Sequence, residues 1–155
     1  MRESVRRVHN ALVAGGVEPH IVEFAESTRT AEEAAAAIGT TVGAIVKSLL
    51  FLADGQPIMA LVSGDNRVDV NALGALAGGS ISRCPADLVR GHTGFAIGGV
   101  PPIGLATAVP IYLDEDLFRF DTVWAAAGTP HTVFAISPHT LATLTGATPA
   151  TLKQR

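Results

Sequence analysis

The sequence predicts a mixed α+β domain, with helices and strands interleaved irregularly rather than wound into a doubly wound sheet. Three observations point there. Apolar residues recur at helical spacing in some segments and alternate at strand spacing in others. A hairpin signal, Asp54-Gly55, sits between two adjacent strand-like runs and favours antiparallel pairing. The chain has 155 residues, 48% hydrophobic and 16% charged, which is apolar material enough for one packed core. We therefore expect a single domain over residues 1–155.

Each element has a local reason. Val5, Val8 and Leu12 recur at helical spacing, and Gly15-Gly16 end that first helix. His20 to Phe24 reads as a short strand. Thr30 and Glu33 form a capping box that opens an alanine-rich helix closed by Gly39. Val42 to Val46 reads as one helical turn running into a strand over residues 45–53. Both faces of that strand are mostly apolar, so it is expected to be central and covered on both sides. Pro57 to Val62 is its hairpin partner. Asp69 starts a helix with Val70, Leu73, Leu76 and Ala77 on its apolar face, ended by Gly78-Gly79. Pro85 to Val89 reads as another short helix, and Val109 to Leu113 as a strand. Asp114 caps a turn that carries Leu117 and Phe118. Val123 to Ala127 and Thr132 to Ile136 form a strand pair, after which Ser137 and Pro138 open a last helix ended by Gly146.

Composition excludes several classes. No apolar run is long enough to cross a bilayer, and the first residues show no apolar signal region, so a cytoplasmic protein without membrane contact is expected. One cysteine, Cys84, leaves no internal disulfide and reads as a structural thiol. The net charge of -3 argues against whole-molecule attraction to nucleic acid, DNA included, but leaves room for a local basic patch. Arg67, Arg83, Arg90 and Arg119 are scattered along the chain and would have to gather on one face to make one. The five histidines show no metal-binding spacing, so neither a metal nor another cofactor is expected. Asp114-Glu115-Asp116 reads as a solvated helix start, not an acid–base pair.

Two segments stand out chemically. Lys47 lies within the apolar run Ile45 to Leu52. A buried ammonium is costly, so this lysine either snorkels to water from near the strand's start or holds an anion or carbonyl oxygen in a cleft. Ser48 faces the opposite side of an ideal strand and shares a site with Lys47 only at a bend or strand end. The loop Gly98-Gly99-Val100-Pro101-Pro102-Ile103-Gly104 is stiff, and its glycines let amide groups approach a ligand oxygen. The same composition also suits a tight turn without a ligand. Gly128-Thr129-Pro130-His131 follows a run of small residues, and His131 is either a base or a half-buried strand-end residue.

These marks, in this order, resemble the YbaK/prolyl-tRNA editing domain family of free-standing aminoacyl-tRNA deacylases. The resemblance rests on Val42 to Leu49 around Lys47, the Gly98 to Gly104 loop, Asp114-Glu115 with Leu117, Ala126 to Gly128, and Ile136 to Pro138 with Leu141. It runs from about Val8 to Gly146. It implies a largely antiparallel, barrel-like mixed sheet with surrounding helices. It implies hydrolysis of the ester joining a wrong amino acid to tRNA, with misacylated tRNA as the partner and an aminoacyl-tRNA synthetase as a second candidate partner. By the same resemblance Lys47 orients the terminal ribose, phosphate or carbonyl. The loop from Gly98 to Gly104 binds the aminoacyl group, Gly99 and Gly104 supplying backbone contacts, and Phe24 places an aromatic near the pocket. Some cysteine-specific relatives carry an aspartate where this chain has Val133, which counts against cysteinyl-tRNA. The small residues Ala125 to Gly128 favour alanine on the proline tRNA. The competing expectations are a non-catalytic module that binds a small ligand or tRNA through the same pocket, and a scaffold whose pocket is incidental.

Overall fold

A computed structural model describes residues 2–155. The first helix, α1 (Glu3–Ala14), buries Val5, Val8 and Leu12 along one stripe. A short strand, β1 (Ile21–Glu23), leads to α2 (Ala31–Ile38). The Thr30 side chain accepts from the Glu33 N–H, the Glu33 carboxylate accepts in return from the Thr30 N–H, and Gly39 closes the helix in the left-handed region. A 3-10 turn (Val42–Ala44) then enters β2 (Ile45–Ala53). Asp54 and Gly55 both take positive φ (47° and 82°), as a two-residue hairpin requires, and the chain returns as β3 (Gln56–Ser63).

Next come α3 (Val70–Ala77), β4 (Ile81–Arg83) and α4 (Ala86–Thr93). The long glycine-proline loop follows, then β5 (Ile111–Asp114), a 3-10 turn (Glu115–Arg119), β6 (Val123–Ala126) and β7 (Thr132–Ile136). The chain ends with α5 (Pro138–Thr145) and β8 (Thr148–Ala150). Ser137 caps α5 through the Thr140 N–H, as its sequence signature requires.

The strands form one mixed sheet in the order β1-β7-β6-β2-β3-β5-β8, with β4 beside β2. The β1–β7, β6–β7, β2–β3 and β2–β4 pairs are antiparallel, while β2–β6, β3–β5 and β5–β8 are parallel. The sheet is therefore largely antiparallel but open, with β1 and β8 at its two ends. One core packs α1, α4 and α5 against it around Met59, Leu61, Leu113, Phe134 and Leu141. A second lies under α3 around Ala60, Val62, Leu73 and Leu152. A third, smaller cluster joins α2 to Ile45 and Trp124.

Several expectations change. On α3 only Leu73 is buried; Val70 and Leu76 are 43% and 44% exposed, because the helix touches the sheet along a narrower stripe than its apolar residues suggest. The helix read at Pro85 to Val89 extends to Thr93. The acidic start Asp114-Glu115-Asp116 is not uniformly solvated. Asp114 is 1% exposed and accepts from the Ser63 N–H, the Asn66 side-chain amide and the Asp116 N–H. It caps the following turn, as expected, and also ties that turn to the end of β3.

Candidate active site: a gap in the sheet

On one edge β2 pairs with β3 along its whole length. On the other it pairs with β6 only at Ile45 and Val46, and with β4 only from Phe51 to Ala53. Between these ladders the sheet is interrupted, and there a cavity of about 580 Å³ opens. Its walls come from β2, from the start of α2 with the preceding Thr28 and Arg29, from β4 and α4, from the glycine-proline loop, and from β6 and β7.

Lys47 lines this cavity and is half-buried. Its ammonium donates to the backbone carbonyl of Asn66. The Asn66 side-chain amide is held in turn by Asp114 (2.8 Å) and Asp116 (2.9 Å), and Lys153 pairs with Asp116 at 3.2 Å. Burial lowers the pKa of Lys47 below its ordinary value; the negative charges of Glu32, Asp65 and Asp114 oppose that shift, and Arg67 adds to it. Beside this group Asp65 pairs with Arg119 at 3.2 Å. Partial burial works against its ionised form, but hydrogen bonds from Ser63 and Arg119 hold Asp65 below the usual carboxylate range.

Ser48 lines the same cavity, although its side chain points to the opposite face of β2. The two meet without a bend or a strand end, because the cavity enters edgewise through the gap and reaches both faces. The Ser48 hydroxyl oxygen is buried and has no hydrogen-bond partner among the described residues.

The glycine-proline loop contributes less surface than its composition suggests. Gly98 and Val100 line the cavity. Gly99, Pro101, Pro102 and Ile103 are buried and lie outside its lining, and Val100 and Ile103 belong to the main core. The Gly99 N–H donates to the Ala96 carbonyl, and the Gly99 carbonyl accepts from the Gly128 N–H at 3.1 Å, so neither is free for a ligand. Gly104 sits against α1, where its carbonyl accepts from Arg7 at 2.9 Å. Arg7 also stacks on Phe95, 4.5 Å from the ring centre, and so staples the loop's two ends to α1.

Gly128 takes φ 103°, and a Cβ there would lie 2.7 Å from the Ser4 carbonyl oxygen. It supports the loop from behind. His131 is exposed, with Nδ1 3.0 Å from the Glu26 carbonyl oxygen, and neither it nor Phe24 lines the cavity. Both lie where β1 continues past β7: the Phe24 N–H donates to the His131 carbonyl at 2.9 Å.

Sequence reasoning missed Arg29, Glu32 and Trp124, all on the cavity wall. Arg83 is named in the sequence only as one of four scattered arginines; its place on the wall depends on β4, which is three residues long and too short for a periodic signal. Arg29 precedes the recognised capping box and lies across Gly98, whose Cβ position is 3.1 Å from the arginine side chain. Cys84 also lines the cavity; it is 4% exposed, and burial and the Asp87 charge raise its thiol pKa, which disfavours the thiolate.

The whole arrangement is a half-enclosed cleft with one ammonium at its rim, mostly aliphatic walls and a break in a sheet. Comparison with known proteins places it. The aminoacyl-tRNA editing domain family matches residues 25–144, and the chain belongs to that family. It is thus of the class of hydrolases that cleave the ester between an amino acid and tRNA. A crystal structure described as a candidate trans-editing enzyme for prolyl tRNA synthetase superimposes with a TM-score of 0.95 at 48% identity, covering 100% of this chain and 99% of that one. The Bacillus subtilis protein YwhH is 34% identical over 139 residues, 89% of this chain and 88% of its own length. EbsC of Enterococcus faecalis, described as a candidate Cys-tRNA(Pro)/Cys-tRNA(Cys) deacylase, is 28% identical over 138 residues, 83% of this chain and 84% of its own length. A proline--tRNA ligase of Nitratidesulfovibrio vulgaris (strain DP4) matches over 89 residues at 35% identity, 57% of this chain but 16% of that longer protein.

Proposed function

We propose that this chain acts in trans on tRNA(Pro) wrongly charged with alanine or a similarly small amino acid, with Lys47 as the residue that orients the ester. The observation that carries this reading is the chemistry of the cavity wall. Val46, Leu50, Val100, Ala125 and Val133 line it, with the Lys47 ammonium beside them and Arg29 and Arg83 also on the wall. Val133 is 3% exposed and offers no polar group to a thiol or hydroxyl side chain. A volume of about 580 Å³ suits a small aminoacyl group together with part of the nucleoside that carries it.

The reaction needs no cofactor. Water adds through its oxygen to the acyl carbon, the bond from that carbon to the ribose oxygen breaks, and the ribose oxygen takes up a proton. Free amino acid and tRNA leave. An activated ester needs less help than an amide, so positioning and polarisation of the carbonyl carry the rate. The neighbouring ribose hydroxyl is placed to assist the water. Such a second hydrolytic site is useful because a synthetase separates amino acids differing by a methylene by only about 1–3 kcal/mol. The setting is the cytoplasm, where charged tRNA is made, and a prolyl-tRNA synthetase is the natural upstream partner. Residues 1–155 act as one editing domain.

The test is a deacylation panel with alanyl-, seryl-, cysteinyl- and prolyl-tRNA(Pro), run with wild type and with Lys47→Ala. Alanyl-tRNA(Pro) should be hydrolysed fastest by wild type and at least tenfold slower by the variant. Binding of all four without hydrolysis would instead make the chain a recognition module.

A further inference from the structure

The gap beside β2 leaves backbone groups facing the cavity, and the pairing pattern identifies which. The Gly64 N–H donates to the Ile45 carbonyl at 2.8 Å, and the Asp54 N–H donates to the Ser80 carbonyl at 2.9 Å. Along β2, odd-numbered residues therefore bond to β3, and even-numbered residues turn their N–H and C=O groups to the other edge. On that edge the ladder with β6 stops at Val46 and the ladder with β4 starts at Phe51. The Ser48 N–H, the Ser48 carbonyl and the Leu50 N–H lie between the two ladders, paired to neither strand. Ser48 and Leu50 both line the cavity.

Buried backbone donors and acceptors in native folds nearly always have partners. Here a donor, an acceptor and a donor follow one another along an open strand edge inside a cavity. The Ser48 hydroxyl oxygen, buried and without a partner among the described residues, is a second and independent sign of a ligand site at the same residue. The Gly99 N–H, which the loop's composition offers as an alternative donor, is bonded within its own loop.

We propose that the open edge of β2 at Ser48 and Leu50 binds the aminoacyl group through the backbone, the Ser48 carbonyl accepting from the α-ammonium and the Leu50 N–H donating to the acyl oxygen. The inference rests on the editing reading of the preceding section and deepens it. An α-ammonium and an acyl oxygen are common to every aminoacyl ester, so backbone groups suffice to read them. The side chain is then left to the aliphatic wall. The Leu50 N–H is positioned to hold the negative charge that gathers on the acyl oxygen as water adds. The Ser48 N–H and hydroxyl remain for the ester's ribose side.

The experiment has two arms. In the first, Leu50 is replaced by its α-hydroxy acid analogue, which removes one N–H and keeps the side chain. Loss of a donor to a developing oxyanion lowers kcat by about a hundredfold. We expect a fall of that order on alanyl-tRNA(Pro), with the melting temperature only modestly lowered, because no ladder bond is lost and only the one accepted by the Leu49 carbonyl, now an ester carbonyl, is weakened. An unchanged kcat overturns the assignment of Leu50. In the second arm, the unmodified enzyme is given lactyl-tRNA(Pro), which lacks the α-ammonium and carries a hydroxyl in its place. We expect kcat/KM at least tenfold below that for alanyl-tRNA(Pro), and equal values overturn the assignment of the Ser48 carbonyl. If wild type hydrolyses no aminoacyl-tRNA, both this inference and the editing reading fail. If wild type is active and both arms show no change, only this inference fails.

Discussion

Lys47 donates its ammonium to the backbone carbonyl of Asn66, and Asn66 is itself clamped through its side chain by Asp114 and Asp116. The cation at the cavity rim is thus held by a loop that two carboxylates fix in place. Asn66→Ala removes both charge-assisted bonds while leaving the backbone carbonyl present. Hydrogen bonds to charged groups contribute about 1.5–3 kcal/mol each in such settings. We expect the melting temperature to fall by several degrees. We also expect deacylation to slow through misplacement of Lys47. In the Lys47→Ala background the same substitution should cost little further activity, and a double-mutant cycle measures this directly. Additive losses would separate Asn66 from Lys47.

The lowered pKa of Lys47 makes a prediction about pH. Its folded pKa lies below its unfolded value, so between the two the unfolded chain holds more protons. Stability carried by this group therefore rises with pH through that window, and the penalty for the buried charge is fully present below it. Asp65 and Asp116 have a linkage of the same sign in a more acidic window, where it is a stabilising contribution gained and not a penalty relieved. Their folded pKa values are lowered, so their contribution is present above the ordinary value of 3.8 and is lost as pH falls through the folded values. If activity needs the Lys47 ammonium, deacylation corrected for spontaneous hydrolysis should decline on the alkaline side at a pH below 10.5. Lys47→Arg keeps a positive charge and should move that decline out of range, at some cost in rate because the guanidinium is larger. A pH–rate profile of both proteins checks this.

Most of the fold is legible in the sequence where elements are periodic and capped. The Thr30–Glu33 box, the Asp54-Gly55 hairpin and the Ser137-Pro138 start all have the local chemistry that the structure uses. What escapes is set by tertiary context. The strands β4 and β8 have three residues each and exist because a neighbour offers an edge, not because of any alternation. Of the residues expected at a site, Lys47, Ser48, Gly98 and Val100 are brought to one cavity by the fold. The rest of the glycine-proline loop is misread from composition. Gly and Pro suggest an exposed turn, but a Val and an Ile between them pull the loop into the core. Asp114 escapes for a similar reason, since its burial depends on Ser63 and Asn66, about fifty residues earlier in the chain.

Two glycine substitutions should act in opposite directions. A Cβ on Gly99 would lie 2.9 Å from the backbone N and Cα of Thr129, and backbone cannot move aside cheaply. Gly99→Ala should destabilise by about 1–3 kcal/mol and loosen the adjacent Gly98 and Val100 at the cavity wall. Gly91 lies within α4, and a Cβ there meets nothing within 4 Å. Gly91→Ala should stabilise by about 0.5–1 kcal/mol through helix propensity and reduced freedom of the unfolded chain. Thermal unfolding of both variants decides the matter, and a stable Gly99→Ala would contradict the tight approach of the two glycine segments.

The last prediction concerns how an acidic protein, net charge -3, holds a polyanion. Arg29 and Arg83 both stand at the cavity wall, and both residues are exposed. A basic pair beside the acyl site is placed to meet phosphates of the single-stranded end of a tRNA. Each phosphate neutralised releases counterions, so the logarithm of the binding constant falls linearly with the logarithm of salt, by about 0.7 per contact for a single strand. Arg83→Ala should weaken tRNA binding and flatten that slope by about one contact's worth, and Arg29→Ala should do the same. The rate on bound substrate should change less than the affinity, because neither guanidinium is assigned to the ester itself. A slope unchanged in both variants would move the phosphate path to another face and leave the two arginines with a structural role, Arg29 across Gly98 and Arg83 in the β2–β4 ladder.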